Sequence, residues 1–283
     1  MKTILFIVLI GLGIQATHAQ KPTITQRHLI NSQYTGKSYE LMVLLPKDYS
    51  PADTIHYPVL YVLDGKYSFP LFQSISSLME LSKEIRDLII VGIDGYDQTK
   101  EEWLVSRHGD FTPSHQSNAD TLWTKILKLP EGKLQSGGAD KFLQALQHEM
   151  IPLIDQAYKT SKERGLYGHS LGGLFASYCL MKAPGLFNRF SINSPSLWWN
   201  ASEMLKMEAP ADAAINARVF FSMGAYEGEM MLQPFRTFTK AMTEHHYQHL
   251  QMSVRVFEGE THVSVVPSCS SKTLKLLYPV ADK

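Results

Sequence analysis

Gly168-His169-Ser170-Leu171-Gly172-Gly173 contains a Gly-x-Ser-x-Gly pentapeptide, and the chemistry such a segment offers is attack on a carbonyl by a serine hydroxyl. A short run ending in Leu166-Tyr167 precedes it and an apolar stretch from Leu171 to Met181 follows, so the serine sits at a sharp turn from strand to helix. That turn strains the serine backbone and lifts Oγ above the sheet edge, and the flanks come so close that Gly168 and Gly172 are expected for want of a Cβ. The N–H of Leu171 opens the helix, where unpaired amides and the helix dipole favour a developing oxyanion. A glycine-rich turn without chemistry is the alternative, and the strand and helix on either side argue against it.

A serine hydroxyl needs a base within hydrogen-bond reach and a third group to orient that base, on loops that follow strands and in the chain order serine, acid, histidine. His262 fits, standing just past an alternating run from Met252 to Phe257 and just before a helical pattern. His169 adjoins the nucleophile but points elsewhere in a tight turn, and His245, His246 and His249 gather near a helix end, where the dipole explains them without a metal. For the acid, Glu227 follows the Val219 to Met223 run. Glu229, Glu258 and Glu260 remain alternatives, as does a Ser–His dyad. A second oxyanion donor is expected from Leu63-Asp64-Gly65-Lys66, with the Lys66 N–H as the chosen group.

The elements that must hold these groups follow from hydrophobic period. Thr23 to Ile30 and Ser38 to Leu45 read as an opening hairpin around Gly36. Tyr57 to Leu63, Leu88 to Ile93, Phe190 to Asn193 and Val219 to Met223 are nearly unbroken apolar runs, as strands buried on both faces are. Met252 to Phe257 alternates like a strand nearer an edge. Helical patterns cover Phe69 to Ser82, Lys141 to Tyr158 with a kink at Pro152, Leu171 to Lys182, Ser202 to Met207, Leu232 to His246 and Val265 to Leu277. The alternation predicts an α/β fold with a mostly parallel, doubly wound sheet of about eight strands and helices on both faces. Residues 96–138 show little periodicity and read as an excursion over the site face that helps form the pocket.

Composition narrows the function classes. The chain has 27 basic and 27 acidic residues and no basic run interleaved with aromatics, which argues against a nucleic-acid partner. Two cysteines, Cys179 and Cys269, are too few for a disulfide scaffold. Met1 to Ala19 reads as a secretory signal, with Lys2, an apolar run from Ile4 to Ile14 and Thr17-His18-Ala19 as the cleavage site. An exported protein without stable membrane insertion is expected, periplasmic or extracellular, with residues 20–283 as a single domain.

With these residues on the page, the chain resembles the secreted and periplasmic esterases related to the enterochelin (ferric siderophore) esterases, in the α/β-hydrolase superfamily near esterase D, feruloyl esterases and mycolyltransferases. The stretches that carry the resemblance are Pro58 to Gly65, Arg107 to Pro113, Lys141 to Pro152, Gly168 to Gly173, Ser194 to Trp199 and Gly259 to Pro267. The resemblance implies Ser170 as nucleophile, His262 as base, backbone around Gly65-Lys66 and Leu171 as oxyanion hole, and a third member where Glu227 stands. It also places the Arg107 to Pro113 loop and the Ser194 to Trp199 segment, with Trp198 and Trp199, close to the pocket. Trp198, Trp199 and Trp103 could pack on an aromatic or acyl group and Arg107 could bind an anion; core packing and an Arg107–Asp110 pair are the structural alternatives.

The expected protein is therefore a serine ester hydrolase that needs no metal or organic cofactor and acts on a small-molecule or glycan ester. Siderophore-type esters lead, with acetyl or feruloyl esters of polysaccharide next. An acyltransferase, or a binding protein that keeps the fold without using Ser170, would share the same residues. Nothing in the sequence sets the oligomeric state.

Overall fold

The computed structural model describes residues 25–52, 54–96, 98–207, 215–245 and 247–280. The signal segment Met1 to Ala19, the first two residues of the expected opening strand and His246 lie outside them.

Among the described residues one sheet runs through the molecule in the order β1-β2-β4-β3-β5-β6-β7-β8. The strands are β1 (Thr25–Asn31), β2 (Ser38–Leu44), β3 (Tyr57–Val62), β4 (Ile89–Gly95), β5 (Thr160–His169), β6 (Arg189–Asn193), β7 (Ala217–Gly224) and β8 (Leu250–Phe257). β1 and β2 form the antiparallel hairpin, β2 also runs antiparallel to β4, and every pairing from β4 to β8 is parallel.

Successive residues of the inner strands point to opposite faces and both faces are covered, which is why the strands read as continuous apolar runs. Val59, Tyr61 and Val91 pack with Phe142, Phe175 and Phe190 on one side. Leu60, Val62 and Ile90 pack with Phe69, Phe72 and Leu274 on the other. β8 has a neighbour only in β7 among the described residues, and Val254 and Val256 are exposed, in keeping with its alternating pattern. Cys179 and Cys269 are free, buried thiols.

The helices are α1 (Gly65–Leu81), α2 (Lys100–Asp110), α3 (Ser117–Ile126), α4 (Ala139–Ala145), α5 (Ile151–Ala157), α6 (Leu171–Lys182), a distorted turn α7 (Trp199–Ser202), α8 (Glu229–Glu244) and α9 (Val265–Leu277). Leu146–Met150 joins α4 to α5 as a π-helical turn in which the Ile151 N–H donates to the Leu146 carbonyl. Pro152 has no N–H to donate back to His148, and the hydrogen bonding before it shifts from i→i−4 to i→i−5.

The excursion over residues 96–138 is more regular than its sequence predicts, since it contains α2 and α3. α2 is set by a capping box: Thr99 accepts the Glu102 N–H while the Glu102 carboxylate accepts the Thr99 N–H. Its buried face consists of Ser106, His108, Gly109 and Asp110. A helix that buries polar side chains gives no apolar period, so its hydrophobic pattern is silent.

Candidate active site

Ser170 lies between β5 and α6 with φ 60 and ψ −119, a left-handed conformation that a serine adopts only when its surroundings enforce it. A Cβ at Gly168 would fall 2.0 Å from the Gly172 carbonyl oxygen, and one at Gly173 would fall 2.7 Å from the Asn193 carbonyl oxygen. Gly172 itself is less crowded than expected, its nearest neighbour being an Asp64 oxygen at 3.3 Å. The flanks do meet, Gly168 against the Gly172 carbonyl, and that contact requires glycine at 168; Gly173 is required separately, where α6 approaches the end of β6 at Asn193. Below the turn the Ser170 N–H donates to the Asn193 carbonyl at 3.1 Å. The buried Asn193 side chain donates to the Gly168 carbonyl and accepts from Ser222 Oγ, tying β5, β6 and β7 together under the serine.

His262 arrives on the loop between β8 and α9, and its Nε2 lies 3.0 Å from Ser170 Oγ. On its far side Nδ1 lies 2.6 Å from Glu227 Oε2. The other Glu227 oxygen accepts from Ser194 Oγ at 2.5 Å and from the Gly224 N–H at 2.7 Å. The Glu227 side chain is 0% exposed. Burial is the strongest influence on it and favours the neutral acid, but the hydrogen bonds from His262, Ser194 and Gly224 together outweigh burial and hold its pKa below the usual carboxylate range. An ionised Glu227 fixes the proton on Nδ1 and leaves Nε2 to accept the serine proton. The competing carboxylates are engaged elsewhere or face solvent: Glu229 pairs with Arg236, Glu260 accepts from Ser264 and Ser268, and Glu258 is exposed.

His169 does turn away from the serine, and it turns toward a specific partner. Its Nε2–H donates to the main-chain carbonyl of His262 at 2.8 Å, with the two rings 4.6 Å apart. Burial first, and then the neighbouring His262, push its pKa down to about 3, so the ring is neutral with its proton on Nε2. Ser194 and Ser196 belong to the segment that the resemblance places close to the pocket, but the sequence assigns neither a role. Ser194 Oγ bonds Glu227, and Ser196 Oγ lies 3.4 Å from Ser170 Oγ.

The remaining expected residues divide. Leu171 is the first residue of α6, so its N–H has no partner within the helix and stands beside the serine. The Lys66 N–H is not available as a second donor, because it donates to the Asp94 carboxylate at 2.7 Å. Lys66 is the second residue of α1, and Asp94 at the end of β4 caps that orphan amide. Arg107 does not pair with Asp110. Its guanidinium forks onto Asp64 at 2.8 and 3.0 Å, with side chains 12% and 10% exposed, and rests 4.9 Å over the Trp103 ring. Asp110 is taken by Lys37 and Tyr39. The Arg107 charge is thus already matched, which weakens the expectation that it binds an anion. Trp199 is a core residue, 1% exposed and edge-on to His108, whereas Trp198 is only partly buried.

Two hollows meet at Ser170. One, about 150 Å³, is bordered by Arg107 and Leu134 from the excursion, by Ser170 and Leu171, and by Trp198 and Trp199. The other is an open cleft that contains Asp64, Ser170 and His262. Residues of the excursion thus line one of the two hollows. An activated hydroxyl with a free amide beside it, open to two cavities, is an arrangement able to transfer an acyl group.

Comparison with known proteins places the chain in a family. The chain is 28% identical over 271 residues to the ferri-bacillibactin esterase BesA of Bacillus subtilis, spanning 90% of each protein. It is 30% identical over 162 residues to the apo-salmochelin esterase of Escherichia coli, a match that covers 57% of this chain and 48% of that protein. The crystal structure of the BES protein from Bacillus cereus superposes with a TM-score of 0.74 at 31% identity, covering 90% of this chain and 96% of that one. The sequence profile of the family described as "Putative esterase" matches residues 32–267, and with the sheet order above the chain belongs to that esterase family of α/β-hydrolase fold.

Proposed function

We propose that the protein hydrolyses a small-molecule carboxylic ester through a covalent acyl-serine, in the manner of a siderophore esterase. Ser170 attacks the carbonyl while His262 Nε2 takes its proton, and Glu227 holds the imidazole in the required tautomer and balances the imidazolium. The Leu171 N–H receives the oxyanion. The second donor comes from the turn after β3, where the Asp64 and Gly65 amides donate to no partner among the described residues; of the two, Asp64 is the residue that borders the cleft with Ser170. His262 then passes its proton to the leaving alcohol, and water repeats the cycle to release the acid.

The observation that carries this reading is the alignment of three side chains from three loops, with 3.0 Å from hydroxyl to imidazole and 2.6 Å from imidazole to carboxylate. The siderophore part rests on what the relatives named above act on. Export belongs to the proposal as well, on the strength of the Met1 to Ala19 segment.

Treatment of the purified protein with a fluorophosphonate, followed by peptide mass spectrometry, tests the mechanism. A single adduct on Ser170 and loss of p-nitrophenyl butyrate hydrolysis in Ser170→Ala are expected. Unmodified Ser170, or undiminished turnover in that variant, refutes the acyl-serine.

A further inference from the structure

The two hollows at Ser170 differ in kind, and the proton path decides which part of an ester occupies each. His262 must hand its proton to the leaving oxygen, so that oxygen lies on the side of Ser170 where the imidazole stands. His262 borders the open cleft, together with Tyr67, Trp103 and Val263. The acyl substituent then projects to the other side, into the cavity walled by Leu104, Trp123, Leu127, Leu134 and Trp198.

Among the described residues that line it, that cavity holds no uncompensated charge. Of its ionisable neighbours, Arg107 is forked onto Asp64, and His108 meets Asp120 at 2.9 Å. Burial is the largest influence on His108 and holds it below the ordinary imidazole range. An anionic group entering this space would lose its hydration and find no free cation, a cost that an apolar group avoids.

We infer that the acyl portion of the substrate is uncharged and apolar, about the size of a six-carbon chain or one aromatic ring, and that it occupies the cavity under α2 and α3 while the alcohol departs through the His262 cleft. This rests on the acyl-serine reading and adds to it a substrate class and an orientation.

A set of p-nitrophenyl esters tests it: acetate, hexanoate, benzoate and the half-ester of adipic acid, whose acyl chain matches hexanoate but ends in a carboxylate. kcat/KM is expected to rise about tenfold or more from acetate to hexanoate and benzoate, and to drop about thirtyfold or more from hexanoate to the adipate half-ester. Trp123→Ala, which removes a wall, and Leu127→Trp, which fills the space, should each lower the hexanoate-to-acetate ratio by about threefold or more. A flat series, or an adipate half-ester as good as hexanoate, overturns the inference while a Ser170 fluorophosphonate adduct keeps the acyl-serine standing. No turnover of any ester and no adduct removes both.

Discussion

The His169 ring donates to the main-chain carbonyl of His262 at 2.8 Å, across 93 positions of sequence. The residue that precedes the nucleophile therefore holds the loop that carries the base, and a shift of one moves the other with it.

His169→Ala should lower kcat by about 10–100-fold with little change in KM, because small misplacement of a catalytic group acts on the chemical step. His169→Gln, which keeps an N–H donor at similar reach, should recover much of the loss. The pH at which activity rises should stay where it is in wild type, since His169 is neutral across the working range; steady-state kinetics from pH 5 to 9 check all three.

Glu227→Gln is expected to cost about 10²–10⁴ in kcat, as loss of the tautomer-fixing carboxylate does in comparable sites. It also alters acid stability. The folded-state pKa of Glu227 lies below its ordinary value, so its contribution is present above the ordinary carboxylate range and is lost as pH falls through the depressed value. Thermal melts from pH 7 down to pH 3 should show the wild type losing more stability than Glu227→Gln.

Asp94 carries the opposite sign. Burial, the largest influence, raises its folded pKa to about 6 despite the hydrogen bonds from the Lys66 and Gly95 amides. The folded protein then binds more protons at this site than the unfolded chain between about pH 4 and pH 6, and stability from this group falls as pH rises through that window. Asp94→Asn lacks the term. Its melting temperature should gain on wild type by about 2–4 °C or more between pH 4.5 and pH 7.5, whatever the fixed cost of the substitution.

Gly168→Ala and Gly173→Ala should prevent stable folding or cost more than about 3 kcal/mol, because each new methyl meets a main-chain carbonyl that nothing can move aside. Gly172→Ala should fall within about 1 kcal/mol of wild type, since its closest contact is longer and alanine favours the helix. Chemical denaturation of the three variants separates them.

Residues whose position follows from local pattern were legible in the sequence. The strand-turn-helix around Ser170 announces itself because a strained turn needs small residues at fixed offsets, and the inner strands do so because burial on both faces leaves no polar positions. Contacts made by main-chain atoms were not. The Lys66 N–H looked free because the partner that caps it, Asp94, lies 28 residues away on a neighbouring strand. The Asp64–Arg107 pairing was hidden for the same reason, since nothing near Arg107 distinguishes Asp64 from the closer Asp110. For α2 the hydrophobic period was silent, yet Thr99 and Glu102 carried a capping signature that could have revealed it.

Among the described residues β8 is held by a neighbour on one flank alone, and the loop that delivers His262 is its direct continuation. Detachment of this outermost ribbon would separate imidazole from hydroxyl while the pairings from β1 through β7 stayed intact. In graded urea, turnover should therefore vanish at concentrations where far-ultraviolet circular dichroism still reports an intact molecule, and enzymatic rate becomes a sensor of fraying at one margin of the sheet.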